Sequence, residues 1–112
     1  MPDSGSLEHV TAEEAIELAN EGAVLIDVRE QWEWDAGHAP QATHIPMGAL
    51  GDRVDELPEE VLIICHSGAR SLTVATALAD AGLRAINVLG GMTAWEQSGG
   101  VVVRPAPEAP LA

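Results

Sequence analysis

The sequence predicts an α/β fold, a three-layer α/β/α arrangement with a small parallel sheet between two layers of helices. Three observations carry that reading. Residues 23–28, 61–65 and 85–89 are short, continuous apolar runs, the pattern of strands buried on both faces. Segments with helix start and stop signals lie between them. Strands that alternate with helices connect by right-handed crossovers, which makes the sheet parallel and covers both its faces. The chain has 112 residues, 46% of them hydrophobic. One core of that size holds without disulfide or metal staples.

Each element has its own signal. A brief strand is expected at 8–10. Thr11 and Glu14 have capping-box spacing, and Gly22 stands where a glycine ends a helix. The run 23–28 is the first fully buried strand, and 43–45 a brief one. After the strand at 61–65, residues 71–81 read as a helix, apolar at Leu72, Ala75, Leu78 and Ala79 and stopped by Gly82. The strand at 85–89 leads to a last short helix at 92–98. Residues 1–6 are expected to be loose, and 7–100 to form the domain. A disordered Pro/Ala-rich tail is expected at 101–112, where Pro105, Pro107 and Pro110 forbid regular pairing.

Charge excludes several functions. The basic residues are five arginines (Arg29, Arg53, Arg70, Arg84 and Arg104), and 18 acidic residues bring the net charge to −13. Such a field repels nucleic acid and anionic lipid, so neither is an expected partner, and it opposes small anionic substrates too. No apolar run approaches the ~20 residues of a bilayer span. The first residues lack the basic flank and apolar stretch of a signal peptide, so the expected location is the cytoplasm. A single cysteine leaves no internal disulfide and no Cys-x-x-Cys pair. His9, His38, His44 and His66 have no metal-site spacing, so no metal and no cofactor are expected.

Sites in open α/β sheets lie beyond the carboxyl ends of the strands. Two segments stand there: Asp27 with Arg29, and the loop from Cys65 to Ser71. A lone cysteine ending a core strand is usually packing. The neighbours Gly68, Arg70 and Ser71, at a strand-to-helix turn, reverse those odds. A thiolate at a helix N-terminus meets unpaired N–H groups and the positive end of the helix dipole, which lowers its pKa. Gly68 permits the left-handed turn that lets several amides converge on one point. Arg70 adds a fixed positive charge.

At these residues the sequence resembles a known family. Cys65, His66, Ser67, Gly68, Ala69, Arg70 and Ser71 are similar to the active-site loop of single-domain rhodaneses, which are sulfurtransferases. The resemblance extends to Asp27-Val-Arg29, to Glu33-Trp34 with Gly37-His38-Ala39-Pro40, to His44-Ile-Pro46, and to Gly90-Gly91 with Trp95. It covers roughly residues 8–100, with several motifs in the family's order. His66 stands where the family often carries arginine, which weakens the loop's positive potential.

The resemblance implies covalent catalysis in two steps. The Cys65 thiolate takes the outer sulfur of thiosulfate or another persulfide donor. Backbone N–H groups from His66, Ser67, Gly68, Ala69, Arg70 and Ser71 hold the transferred sulfur, and Arg70 orients the donor. Cyanide or a thiol, small or on a protein, then removes it; with no second cysteine, an outside molecule must do so. The rival of another class is a non-enzymatic persulfide carrier or protein-interaction module. Phosphatases and arsenate reductases of the same fold place five residues between cysteine and arginine. Only four separate Cys65 from Arg70, one too few to encircle a tetrahedral oxyanion.

The supporting residues have plainer readings. Asp27 caps its turn or pairs with Arg29, and by resemblance braces the loop. Arg29 and Glu33 are spaced for a helical ion pair worth only about 0.3 kcal/mol. Trp34 and Trp95 are packing residues, while Trp32 must point elsewhere. His38 is expected to bond its own turn, and His66 to assist an anionic donor. Gly90 and Gly91 form a close-approach turn, since the pair lacks the full phosphate-loop pattern.

Overall fold

The computed structural model describes residues 5–104. In chain order the elements are β1 (Ser6–Val10), α1 (Ala12–Asn20), β2 (Leu25–Asp27), α2 (Gln31–Ala36), β3 (Ala42–His44) and α3 (Met47–Leu50). A 3-10 helix (Gly51–Glu56) follows, then β4 (Glu60–Ile64), α4 (Ala69–Asp80), β5 (Arg84–Val88) and α5 (Gly91–Gln97). The five strands pair in the order β1-β5-β4-β2-β3, every pairing parallel. This is the expected α/β sheet, with β4 at its centre.

Alternation along the central strands builds two cores. Val61, Ile63 and Cys65 face one side with Ile26, Val28 and Ala85, under Val74, Ala75 and Leu78 of α4 and Leu50 of α3. Leu62 and Ile64 face the other with Leu25, Ile86 and Val88, under Ala15 and Ala19 of α1 and Met92 and Trp95 of α5. Side chains of period two on strands buried on both faces give this result. The capping box forms as read: Thr11 Oγ1 accepts from Glu14 N at 3.1 Å, and Glu14 accepts from Thr11 N at 3.0 Å.

Several boundaries differ from the sequence reading, each for a local reason. β1 begins at Ser6, whose N–H donates to Leu83 O at 3.0 Å. At Gly5 a β-carbon would lie 2.1 Å from Ala79 O, so the backbone there is packed rather than loose. Residues 1–4 of the expected loose start lie outside the described residues. The expected tail at 101–112 is also ordered at its beginning. Val103 and His38 exchange N–H···O bonds of 2.7 and 3.0 Å, and Val101 O accepts from Trp95 Nε1 at 3.0 Å. Three β-branched residues precede Pro105, and Val102 packs on the second core. Residues 105–112 lie outside the described residues.

The helix expected at 71–81 starts earlier, at Ala69, because Gly68 is its N-cap in a left-handed conformation, φ 107°. Helices α2 and α3 are not in the sequence reading. They are six and four residues long, too short to display a full amphipathic period.

Candidate active site

β4 ends at Ile64, and the chain turns over Cys65, His66 and Ser67 before Gly68 caps α4. The left-handed turn at Gly68 aims amides back at the sulfur. Cys65 Sγ accepts from Gly68 N at 3.1 Å and from Ser71 N at 3.3 Å. The amides of His66, Ser67 and Ala69 make no hydrogen bond to Sγ itself. As a thiol Cys65 donates to Ser71 Oγ at 3.3 Å, and once ionised it accepts from that hydroxyl. Ser71 Oγ in turn donates to Asn87 Oδ1 at 2.6 Å.

Burial pushes the Cys65 thiol up, since Cys65 is 1% exposed. The Ser71 hydroxyl, and the amides of Ser71, Gly68 and Arg70, outweigh that cost. The net result is a thiol more acidic than an ordinary cysteine. Cys65 therefore sits against hydrocarbon on one side, within the first core, and against converging N–H groups on the other.

Helix α5 supports the loop from behind. Met92 N donates to Cys65 O at 2.7 Å, and Thr93 N donates to His66 O at 3.1 Å, joined by Thr93 Oγ1 at 3.2 Å. This contact requires glycine at 91: a β-carbon there would lie 2.4 Å from Cys65 O and 2.6 Å from His66 O. The close approach expected of Gly90 and Gly91 is thus made to the loop itself.

Of the two pairings the sequence offers Arg29, the one with Asp27 forms. Arg29 does not pair with Glu33. It is buried and binds Asp27 through Nε at 2.9 and 3.0 Å and Nη2 at 2.8 Å, and its Nη2 also donates to Gly37 O at 2.7 Å. The reason is local: Arg29 precedes α2, so the two residues do not share a helical face. The Asp27 carboxylate makes no hydrogen bond to the loop, although Asp27 stands opposite Ile64, the residue before Cys65; its side-chain partner is Arg29. Glu33 turns to Arg70 instead. Its two carboxylate oxygens accept from Arg70 Nη1 at 2.6 Å and Nη2 at 2.8 Å. The Arg70 guanidinium holds the Glu33 carboxyl down to about 2, against the opposing effect of burial. Sequence reasoning missed Asn87 as well. Its one signal was a polar residue inside the apolar run at 85–89.

Other side chains fall where expected. His38 Nδ1 lies 3.0 Å from Trp34 O, with its ring stacked on Trp34 at a centroid distance of 3.6 Å. Trp95 is fully buried and Trp32 is 72% exposed. Of the remaining loop residues, His66, Ser67 and Ala69 are exposed, Arg70 is half-buried and Ser71 is buried.

Beside the loop is a cavity of about 490 Å³, lined by Arg29 and by residues of α2, α5 and the C-terminal segment, among them Glu33, Glu96 and Arg104, with His66 at the loop's edge. Among the described residues, no group of three or more His, Cys, Asp or Glu is placed to hold a metal ion. No helix among them is long and apolar enough to cross a membrane.

A family model described as "Rhodanese-like domain" matches residues 11–98. The Bacillus subtilis protein named "Putative sulfurtransferase YtwF" is 45% identical over 80 residues, covering 70% of this chain and 78% of that protein. Another B. subtilis protein, "Putative sulfur carrier protein YrkF", is 41% identical over 80 residues; the match spans 69% of this chain and 43% of that longer protein. Among solved structures, a rhodanese-like domain protein from Staphylococcus aureus superposes with a TM-score of 0.78 at 30% identity, covering 88% of this chain and 99% of the other.

Proposed function

The chain belongs to the rhodanese-like domain family, and from that premise we propose that it transfers sulfane sulfur through a persulfide on Cys65. The observation that carries the reading is the convergence of the Gly68 and Ser71 amides on Cys65 Sγ at the head of α4. An amide cradle of that size stabilises one anionic sulfur without needing a metal or a second thiol. The names of the relatives support sulfur chemistry in general.

In the first step, the Cys65 thiolate attacks the outer sulfur of a donor, thiosulfate or an organic persulfide. A sulfur–sulfur bond forms to Cys65, and the donor's own sulfur–sulfur bond breaks, releasing sulfite or a thiolate. The amides of Gly68, Arg70 and Ser71 then face the new persulfide, while Met92 and Thr93 hold the loop's carbonyls from behind. In the second step, an outside nucleophile, cyanide or a thiol, takes the outer sulfur and regenerates the Cys65 thiolate. Asp27 supports the site through its ion pair with Arg29, which in turn binds Gly37 O at the end of α2. A lone thiol with no resolving partner suits the reducing cytoplasm.

A second reading is a sulfur carrier that hands its persulfide to another protein. The absence of any other cysteine in the sequence and the carrier named among the relatives favour it. One experiment addresses both. Incubation with a sulfane donor will raise the intact mass by one sulfur atom, located on Cys65, and cyanide will remove it. Repeated turnover with a small thiol supports an enzyme; a stable persulfide that only a protein discharges supports a carrier. No mass gain from any sulfane donor rejects both.

A further inference from the structure

Every arginine at the mouth of this site is already matched by a carboxylate. Arg29 is bound by Asp27, Arg70 by Glu33, and Arg104 by Glu96 at 2.7 Å. Within these three pairs the charges cancel, and the chain as a whole carries −13. His66 is the one further basic group on the loop. Arg70 is the loop's only arginine, and it projects from the first turn of α4, where it would meet an incoming anion.

Glu33 holds it by both prongs, the geometry in which an arginine and a carboxylate bind most strongly. The carboxylate is itself fixed. Its Oε1 accepts from Glu30 N at 3.0 Å, and its side chain is only 10% exposed. The hydrogen bonds Arg70 donates to Glu33 are the largest influence keeping Arg70 charged, and the attraction of Cys65 is smaller. The pair joins residues 37 positions apart, so it exists only because the fold sets α2 across the loop.

We propose that Glu33 determines the class of sulfur donor. Its ion pair with Arg70 withholds the loop's one arginine from dianionic thiosulfate, and leaves a site suited to persulfides carried on neutral or cationic thiols. The inference rests on the sulfur-transfer reading and narrows it. For the favoured class the step is balanced as follows. The Cys65 thiolate attacks the outer sulfur of R–S–SH and the S–S bond breaks. The proton stays on the transferred sulfur and RS⁻ departs. With thiosulfate, the Cys65 thiolate must approach a donor of charge −2 and release sulfite of the same charge, while Glu33 leaves Arg70 no uncompensated charge with which to offset the repulsion.

The test compares the rates at which thiosulfate and cysteamine persulfide load sulfur onto Cys65, read by intact mass, in the wild-type protein and in Glu33→Gln. Glutamine keeps an oxygen for the Glu30 amide and removes only the charge. The ratio of the thiosulfate rate to the persulfide rate is expected to rise about tenfold in the variant, the scale on which local charge changes the capture of an ion. A ratio that stays constant, with both rates falling together, would show that the pair is merely structural and would overturn the proposal. A second measurement needs no variant. In the wild-type protein, added salt will speed loading from thiosulfate by screening the repulsion, and will leave cysteamine persulfide little changed. Thiosulfate loading that falls with salt counts against the proposal. If neither donor loads either protein, it is the sulfur-transfer reading that has failed.

Discussion

Cys65→Ser will give a folded protein that takes up no sulfur. The substitution is nearly isosteric, and serine can keep the bonds from the Gly68 and Ser71 amides. Its hydroxyl, however, is not ionised at neutral pH and cannot form the persulfide. Removing the nucleophile of a covalent mechanism costs on the order of 10³-fold or more in rate. The check is transfer activity and intact mass alongside a thermal melt. A melt close to that of the wild-type protein with no sulfur uptake is the expected pair of results. Residual transfer would mean that another group carries the sulfur.

The largest effect on stability is expected at Asp27, far less conspicuous in the sequence than the cysteine. Asp27 is fully buried, and its carboxylate holds the buried Arg29 by two prongs and also accepts from the Arg29 amide at 3.0 Å. Asp27→Ala leaves a guanidinium in the interior with only Gly37 O as a partner. Breaking a buried pair from one side costs about 3–5 kcal/mol. For a domain of this size, that is a fall in Tm of roughly 15–30 °C. Replacing both partners, as Asp27→Leu with Arg29→Met, should recover much of the loss, because no charge is then stranded. Thermal and denaturant unfolding measure both variants. A loss below about 1 kcal/mol in Asp27→Ala would show that water reaches Arg29 and that the knot contributes little.

The same knot links Asp27, whose carboxylate makes no hydrogen bond to the loop, to the loop's arginine. Arg29 ties the end of β2 to the carbonyl of Gly37 at the end of α2, and α2 carries Glu33 to Arg70. Support for the loop comes from two directions: through this chain of contacts, and through α5, whose first amides hold the carbonyls of Cys65 and His66.

These relations mark the limit of what the sequence displays. The central strands were readable because both their faces are buried, which leaves continuous apolar runs. Helix α1 was readable because its cap is a local pattern of four residues. The thiol loop was readable because Cys65, Gly68 and Arg70 lie within one turn. Pairing between side chains leaves no such trace. Arg29 has acidic neighbours at two spacings, Asp27 and Glu33, and only the orientation at the start of α2 decides between them. The partner of Arg70 stands 37 residues away, and that of Ser71 stands 16 away on β5. Nor does the sequence show that Gly91 faces a carbonyl. It shows only that a glycine is there.

Sulfur transfer at Cys65 depends on a thiol made acidic by its cradle, and the pH profile of Cys65 alkylation measures that directly. Burial alone would raise its pKa; the Ser71 hydroxyl and the surrounding amides reverse the shift. Modification by a small alkylating reagent, followed by mass on the one cysteine of the chain, should reach half its maximal rate at a pH below the ~8.5 of a free cysteine. A midpoint at or above that value would mean that burial wins over the amides, and would contradict the account.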